Sequence, residues 1–271
     1  MSEQEKELSV LRNEIDAIDQ QIQRLLNQRA ECVHKVADVK HRYEPNGTPV
    51  FYRPEREAQV MRRVIERNDG GAMPSHLAAH LIREVMSVCL SLEKTMRVMY
   101  IDESHGAPYQ AARKHFGSAS ELIEAESLVQ AFSELAQARV DYILVPFVVG
   151  SELNDETLSL LLDSNSYICG EVSVPVAKDQ IFLIVGNQQV SASGDDRTWF
   201  YVSDSKTNAD SVFEQLAIEP NAIWSVINDV ENGWCIDVNG HTDEQLKPLM
   251  EQLTAQFGRV RTLGAYPKAV L

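Results

Sequence analysis

The chain has 271 residues, 44% of them hydrophobic and 24% charged, a composition typical of a globular protein with two or three domains. The net charge of −15 argues against nucleic-acid binding, and no apolar run approaches the roughly 20 residues that cross a bilayer. The N-terminus is acidic, unlike a signal peptide, and the four cysteines form no close pair that would indicate a metal, redox or disulfide motif. We therefore expect a cytoplasmic protein that contacts neither nucleic acid nor membrane.

The charge is unevenly distributed along the chain. Residues 1–95 contain 14 Lys and Arg against 15 Asp and Glu, a net of −1, whereas the remaining residues contain 11 against 25, a net of −14. A site for an anionic ligand is therefore expected in the N-terminal third.

The first predicted element is a long amphipathic helix from Leu8 to about Tyr43. Its apolar positions alternate steps of three and four residues, and the same register passes through Arg29. A lone arginine there is ordinarily a surface salt bridge, but a buried guanidinium requires an anion. Lys40 lies on the same face, about 16 Å further along the axis. Arg29 and Lys40 could hold a small dianion between them.

Arg12 lies on the same helix, roughly 25 Å before Arg29 along the axis and rotated by about 100°. It cannot reach the same small ligand from the same chain. In an antiparallel dimer, Arg12 of one protomer can serve the site of the other. Because three helices, one of them very long, do not easily close a core alone, we expect a homodimer.

Two further helices complete the predicted helical region. The second begins near Arg53 and carries Arg56 and Glu57 in its first turns. The third runs from about residue 74 to residue 96 and carries Cys89 and Glu93 one turn apart.

From residue 97, strand-like runs alternate with helical ones, which is typical of an α/β layout. Strands are predicted at 97–101, 141–146, 168–174 and 180–185, with helices at 107–116, 127–138 and 155–162. After a polar linker, the order βαββαβ predicts a small ferredoxin-like domain, with strands at 198–203, 222–230, 233–239 and 259–265 and helices at 210–216 and 243–257. The expected domains are 1–96, 97–186 and 187–271.

Residues 8–95 resemble the all-helical chorismate mutase domain, in the form found at the N-terminus of bifunctional chorismate mutase–prephenate dehydratase. The resemblance is carried by LRNEID at 11–16, PVFYRPERE at 49–57 and REVMSVCL at 83–90. It implies that Arg29, together with Arg12 from the other protomer, binds the two carboxylates of the substrate. Lys40 would contact the ether oxygen and a carboxylate.

The resemblance also implies roles on the second and third helices. Arg56 would help to hold the pocket, and Glu57 would accept the ring hydroxyl. Glu93 stands where many relatives have Gln and would face the ether oxygen, to which it can donate only when protonated. Cys89 replaces a frequent Ser. Such a rearrangement requires no metal, cofactor or nucleophile, only positioning and donors aimed at the breaking bond.

Residues 97–271 resemble prephenate dehydratase, but with departures at its active-site motifs. The family's Gly-Pro-x-Gly-Thr loop is DESHGA at 102–107, and its Pro-x-Glu-Asn-Ser motif is PFVVG at 146–150. The catalytic Thr and its Arg would be Gln180 and Ile181, and the second lobe of the cleft is missing. We therefore predict that dehydratase activity is absent.

The C-terminal LGAYPKAVL at 263–271 resembles the end of an ACT regulatory domain. The family's phenylalanine-binding Gly-Ala-Leu and Glu-Ser-Arg-Pro motifs are replaced by NADS at 208–211 and NDVE at 228–231, so feedback by phenylalanine is not expected.

Three functions remain open from the sequence. The leading hypothesis is a chorismate mutase of aromatic amino acid biosynthesis with an inactive dehydratase remnant. A second is a mutase that acts on 4-amino-4-deoxychorismate in secondary metabolism, since Glu57 accepts from an amine as readily as from a hydroxyl. The third is a non-enzymatic regulator that binds a metabolite of the aromatic pathway.

Overall fold

A computed structural model describes residues 2–43, 50–102, 106–204, 213–214, 216, 218–227, 232–243 and 245–270. Three helices precede all strands: α1 (Glu3–Tyr43), α2 (Pro54–Arg67) and α3 (Ser75–Glu93). Helices α2 and α3 pack around Met61, Val64 and Ala79. Proline in the first turn of α2 suits its start, because the amide it lacks would be unpaired there in any case.

The apolar stripe of α1 is open to solvent in the single chain. No residue of this helix is buried, and Leu25 is 63% exposed. The exposed stripe consists of Leu8, Leu11, Ile15, Ile18, Ile22, Leu25, Val36 and Val39. A contiguous apolar face of this length is typical of a helix that packs against another chain.

A six-stranded mixed sheet follows the helices, with order β2-β1-β3-β6-β5 and β4 paired to β3. Strands β1, β2 and β3 are parallel, and β6 runs antiparallel between β3 and β5. The elements are β1 (Arg97–Tyr100), α4 (Ala107–Phe116), β2 (Glu121–Glu124), α5 (Leu128–Ala136), β3 (Tyr142–Val149), β4 (Glu152–Leu153), α6 (Asp155–Asp163), β5 (Tyr167–Val174) and β6 (Ala177–Gly186).

The C-terminal sheet has four antiparallel strands in the order β10-β7-β9-β8, the order of a ferredoxin-like βαββαβ unit. Its elements are β7 (Asp196–Asp204), β8 (Ala222–Ile227), β9 (Asn232–Asn239), α7 (Lys247–Gln256) and β10 (Arg259–Pro267). The helix predicted at 210–216 lies largely outside the described residues. The predicted multidomain fold class, an all-α region followed by α/β parts, is confirmed.

The two sheets share a core, because β10 lies directly against β5. A Cβ on Gly264 would come 2.2 Å from the Ile168 carbonyl oxygen, so only glycine allows this approach. Nearby, Trp199 Nε1 donates to the Tyr266 hydroxyl at 2.8 Å, and both side chains are fully buried. The α/β lobe and the C-terminal sheet are therefore packed as one body.

Among the helices that the structure describes, none has both the length and the apolar composition needed to cross a bilayer.

Candidate active site

One cavity of about 270 Å³ lies between α1, α3 and the start of α2. Six of the seven predicted site residues line it: Arg29, Lys40, Arg56, Glu57, Cys89 and Glu93. They come from three helices, so the cavity exists only because α1 and α2 both pack beside α3.

The two predicted cations of α1 both reach α3. Arg29 Nη1 lies 3.5 Å from the Val85 carbonyl oxygen, and Lys40 Nζ lies 3.1 Å from the Glu93 carboxylate. Lys40 also lies 3.4 Å from the Phe51 carbonyl oxygen and over the Phe51 ring. Arg29 thus contacts a neutral carbonyl here, which leaves its charge available for an anion.

Glu93 is nearly buried, with 8% of its side chain exposed, and its carboxylate pairs with Lys40. In this arrangement it accepts hydrogen bonds rather than donating them. For Glu93 to donate to a ligand oxygen, the carboxyl group must be protonated and separated from Lys40. Cys89, one helical turn earlier, is buried in the same wall.

Glu57 faces a cation that the sequence analysis did not identify. Arg83 Nε lies 3.2 Å from Glu57 Oε1, and the two side chains are only 12% and 13% exposed. The contact is an ion pair rather than an aligned hydrogen bond, because Arg83 Nε has no acceptor in hydrogen-bonding geometry among the described residues. Burial raises the pKa of Glu57, while Arg83 and a hydrogen bond from Tyr52 act to lower it.

Arg12 is not brought together with the other six residues. It is exposed on the uninterrupted helix α1 and does not line the cavity. Its expected role requires a second copy of the chain.

The positions that the resemblance assigned to dehydratase chemistry meet at the edge of the six-stranded sheet that is formed by strand ends, where β3 ends and its neighbour β6 begins. Gln180 in β6 pairs with Val149 in β3, and Ile181 pairs with Val148. The Gln180 side-chain oxygen is buried without a hydrogen-bond partner within the described structure. None of these four side chains carries a charge that could bind a carboxylate. Residues 103–105, 208–211 and 228–231 of the other altered motifs lie outside the described residues.

Comparison with known proteins supports the resemblance. Residues 11–94 match the model of the family chorismate mutase type II. A bifunctional chorismate mutase/prephenate dehydratase from Pseudomonas aeruginosa is 27% identical over an alignment of 369 positions, which covers 100% of both chains. Because this chain has only 271 residues, that alignment contains long gaps on its side.

Two further proteins extend the comparison. The bifunctional protein of the same description from Neisseria gonorrhoeae is 38% identical over 162 residues, 59% of this chain but only 43% of the relative. A solved prephenate dehydratase from Streptococcus mutans has a TM-score of 0.54 at 19% identity and covers 64% of this chain and 99% of its own. At this identity, the likeness shows a shared fold only.

Proposed function

Because the chain belongs to the chorismate mutase/prephenate dehydratase family, with a type II chorismate mutase domain at 11–94, we propose that it rearranges chorismate to prephenate in aromatic amino acid biosynthesis. This proposal rests on one observation: Arg29, Lys40 and Glu93 line the same cavity. These are the groups that a flexible dianion requires when it has to fold onto itself.

The reaction breaks the ether C–O bond and forms a C–C bond within one molecule, and no group leaves. Arg29 binds a carboxylate and reduces the freedom of the enolpyruvyl arm. Lys40 and protonated Glu93 donate to the ether oxygen, where negative charge develops as the bond breaks. Because that charge is small in the ground state, Lys40 acts mainly on the transition state. Arg56 and Cys89 shape the wall around the ligand.

The active form in this proposal is a homodimer. The exposed apolar stripe of α1 supports it, since burying that stripe stabilises an association of two chains. Arg12 lies on the half of α1 beyond the cavity and would enter the cavity of the partner. Each site would then contain three cations from the two copies of α1.

The proposal includes no prephenate dehydratase activity. Gln180 and Ile181 stand at the positions assigned to the catalytic Thr and Arg, and they pair with the uncharged residues Val149 and Val148. The long gaps against the Pseudomonas aeruginosa relative also agree with a missing lobe. We further propose a cytoplasmic location, in keeping with four cysteines that form no disulfide.

The test is a mutase assay on the purified full chain, with chorismate and 4-amino-4-deoxychorismate offered separately. Consumption of chorismate with formation of prephenate is expected, and Arg29→Ala should abolish it. Turnover of the amino substrate alone would reassign the substrate. Turnover of neither would overturn the proposal and leave a metabolite-binding regulator.

A further inference from the structure

The α/β lobe forms part of the wall of the mutase cavity. Phe116, at the end of α4, lines it together with Ala119 and Ser120. The backbone of this segment is bonded to α3: the Ser118 amide donates to the Glu84 carboxylate at 3.0 Å, and the Ala119 amide donates to the Ser87 hydroxyl at 3.2 Å. The wall is therefore a fixed contact between lobe and helices.

Gly117 makes this close contact sterically possible. Its φ of +75° lies in the left-handed region, and a Cβ would come 2.5 Å from the Ser87 Cβ. Any other residue would push the segment away from α3.

In the opposite direction, Tyr52 extends from the helical region into the core of the lobe. Its ring lies 5.6 Å from the Phe116 ring and 5.5 Å from the Tyr142 ring. Its hydroxyl is 3.0 Å from His115 Nε2 on α4. Tyr52 is also close enough to Glu57 to lower the pKa of that carboxyl group through its hydroxyl. Tyr52 thus connects a residue of the mutase cavity with a histidine of the lobe.

The proton positions in the series His115, Tyr52 and Glu57 depend on the charge and the tautomer of His115. Burial, followed by the charges of Arg83 and Lys114, lowers the pKa of His115 to about 3, so its ring is neutral and has one N–H. In the tautomer of His115 that has its proton on Nε2, the ring donates to the Tyr52 oxygen and leaves the Tyr52 proton available to Glu57. Arg83 Nε pairs with an oxygen of the same Glu57 carboxylate.

We propose that His115 and Arg83 are positioning residues of the mutase site, so that the α/β lobe is a working part of that site and not an inert remnant. This inference rests on the proposed function. A carboxylate that has two positioning partners accepts the ring substituent of the substrate in one fixed orientation. Neither His115 nor Arg83 needs to touch the substrate.

The charged groups around Glu57 determine its pH behaviour. Beyond Tyr52, Glu57 and Arg83, which line the mutase cavity, lies a smaller cavity that these three residues also line. Its other ionisable groups are His115 and Lys114 on α4, Cys169 and Glu171 on β5, and Lys268 in the C-terminal tail. Loss of either the Arg83 charge or the directed Tyr52 proton would raise the pKa of Glu57 further, because both act to lower it.

The experiment compares His115→Leu and His115→Gln with the wild-type full chain, by kcat and KM for chorismate across the acid to neutral range. His115→Leu removes the donor to Tyr52. We expect KM to rise about threefold to tenfold with a smaller change in kcat, and the acid limb of kcat/KM to move to higher pH. His115→Gln keeps an N–H donor and should restore most of the loss.

Arg83→Met is expected to shift the acid limb further, with KM raised roughly tenfold or more, because Glu57 then lacks its cation. Arg83→Lys should recover part of this loss. His241→Leu and Arg62→Met are the matched controls: His241 bonds to the Val190 carbonyl, and Arg62 bonds to Ser193 and Asp195. Both should leave KM and the pH profile unchanged.

The outcomes separate this inference from the proposed function. An active wild type whose His115→Leu and Arg83→Met variants keep its KM and pH profile would overturn the inference alone. Equal impairment of His115→Leu and His115→Gln in folded protein would also overturn it, since the histidine would then act by packing. A wild type inactive on both substrates would overturn the proposed function, and this inference with it.

Discussion

The cavity beside α1 and the edge of the sheet at β3 and β6 are two places where the family resemblance expects an anionic substrate to bind. The first has retained its cations and carboxylates, whereas the second has Val148, Val149, Gln180 and Ile181. Both regions have folded cores. The difference indicates that the sheet is stabilised by its apolar strands, and that the side chains at its edge can change without loss of the fold.

A physical reason for the persistence of the lobe follows from its contacts. Tyr52 is buried among lobe residues, and the segment after α4 is bonded to α3. Loss of the lobe would expose this ring and leave one wall of the mutase cavity open. The lobe can therefore be retained for the mutase site even if it performs no chemistry of its own.

The largest effect is expected from removing the arginines of the cavity beside α1. Arg29→Ala and Arg12→Ala should each reduce kcat/KM by about a hundredfold or more, because each removes a cation that binds a substrate carboxylate. Mixing the two variants under conditions of subunit exchange should restore part of the activity, since each hybrid dimer contains one intact site and one site that lacks both arginines.

The assay is steady-state turnover of each variant and of the mixture, with the dimer measured by light scattering. Arg42→Ala, which removes a cation of α1 outside the cavity lining, is the control. Full activity in a monomeric sample would contradict the crossing of Arg12.

Much of the fold could be predicted from the sequence because its elements are periodic and end at clear signals. Helix α4 was predicted with its observed bounds, and β5 within one residue of them. Strands β2 and β4 were missed, since the Glu-Leu-Ile-Glu sequence of β2 does not alternate polar and apolar residues and β4 has only two residues. The pairing of Glu57 with Arg83 could not be predicted from the sequence, because it joins α2 and α3, whose packing only the tertiary structure determines.

The second prediction concerns the carboxylate that is held by Arg83. Because burial raises the pKa of Glu57, the fraction of carboxylate in the free protein, and with it kcat/KM, should fall as the pH decreases through that raised pKa. Glu57→Gln should lower kcat/KM roughly tenfold and remove this acid limb, because the amide does not titrate. Measured pH profiles of both proteins test this. An acid limb that persists unchanged in Glu57→Gln would assign it to another group.

A smaller effect is expected at Glu93. Glutamine can donate to the ether oxygen without a proton from solvent, so Glu93→Gln should keep activity within a few-fold of the wild type. Glu93→Ala, which cannot donate, should be far slower. If Glu93→Gln and Glu93→Ala are equally slow, Glu93 has a different role.

The last prediction is that two effects are absent. We expect no dehydratase activity at the edge where β3 and β6 meet, and no response of the mutase to phenylalanine through the C-terminal sheet. The pure protein should form no phenylpyruvate from prephenate, because the aligned side chains at β3 and β6 include no cation to pair with a carboxylate and no acid to protonate a leaving hydroxyl. Phenylalanine should not alter the mutase rate. Long incubation with prephenate under ultraviolet detection and calorimetric titration with phenylalanine are the measurements. Phenylpyruvate formation that Gln180→Ala abolishes, with mutase activity intact, would show that residues at this edge form a catalytic site of a different composition. The second region would then differ from the first by a change of its catalytic residues and not by the loss of its activity.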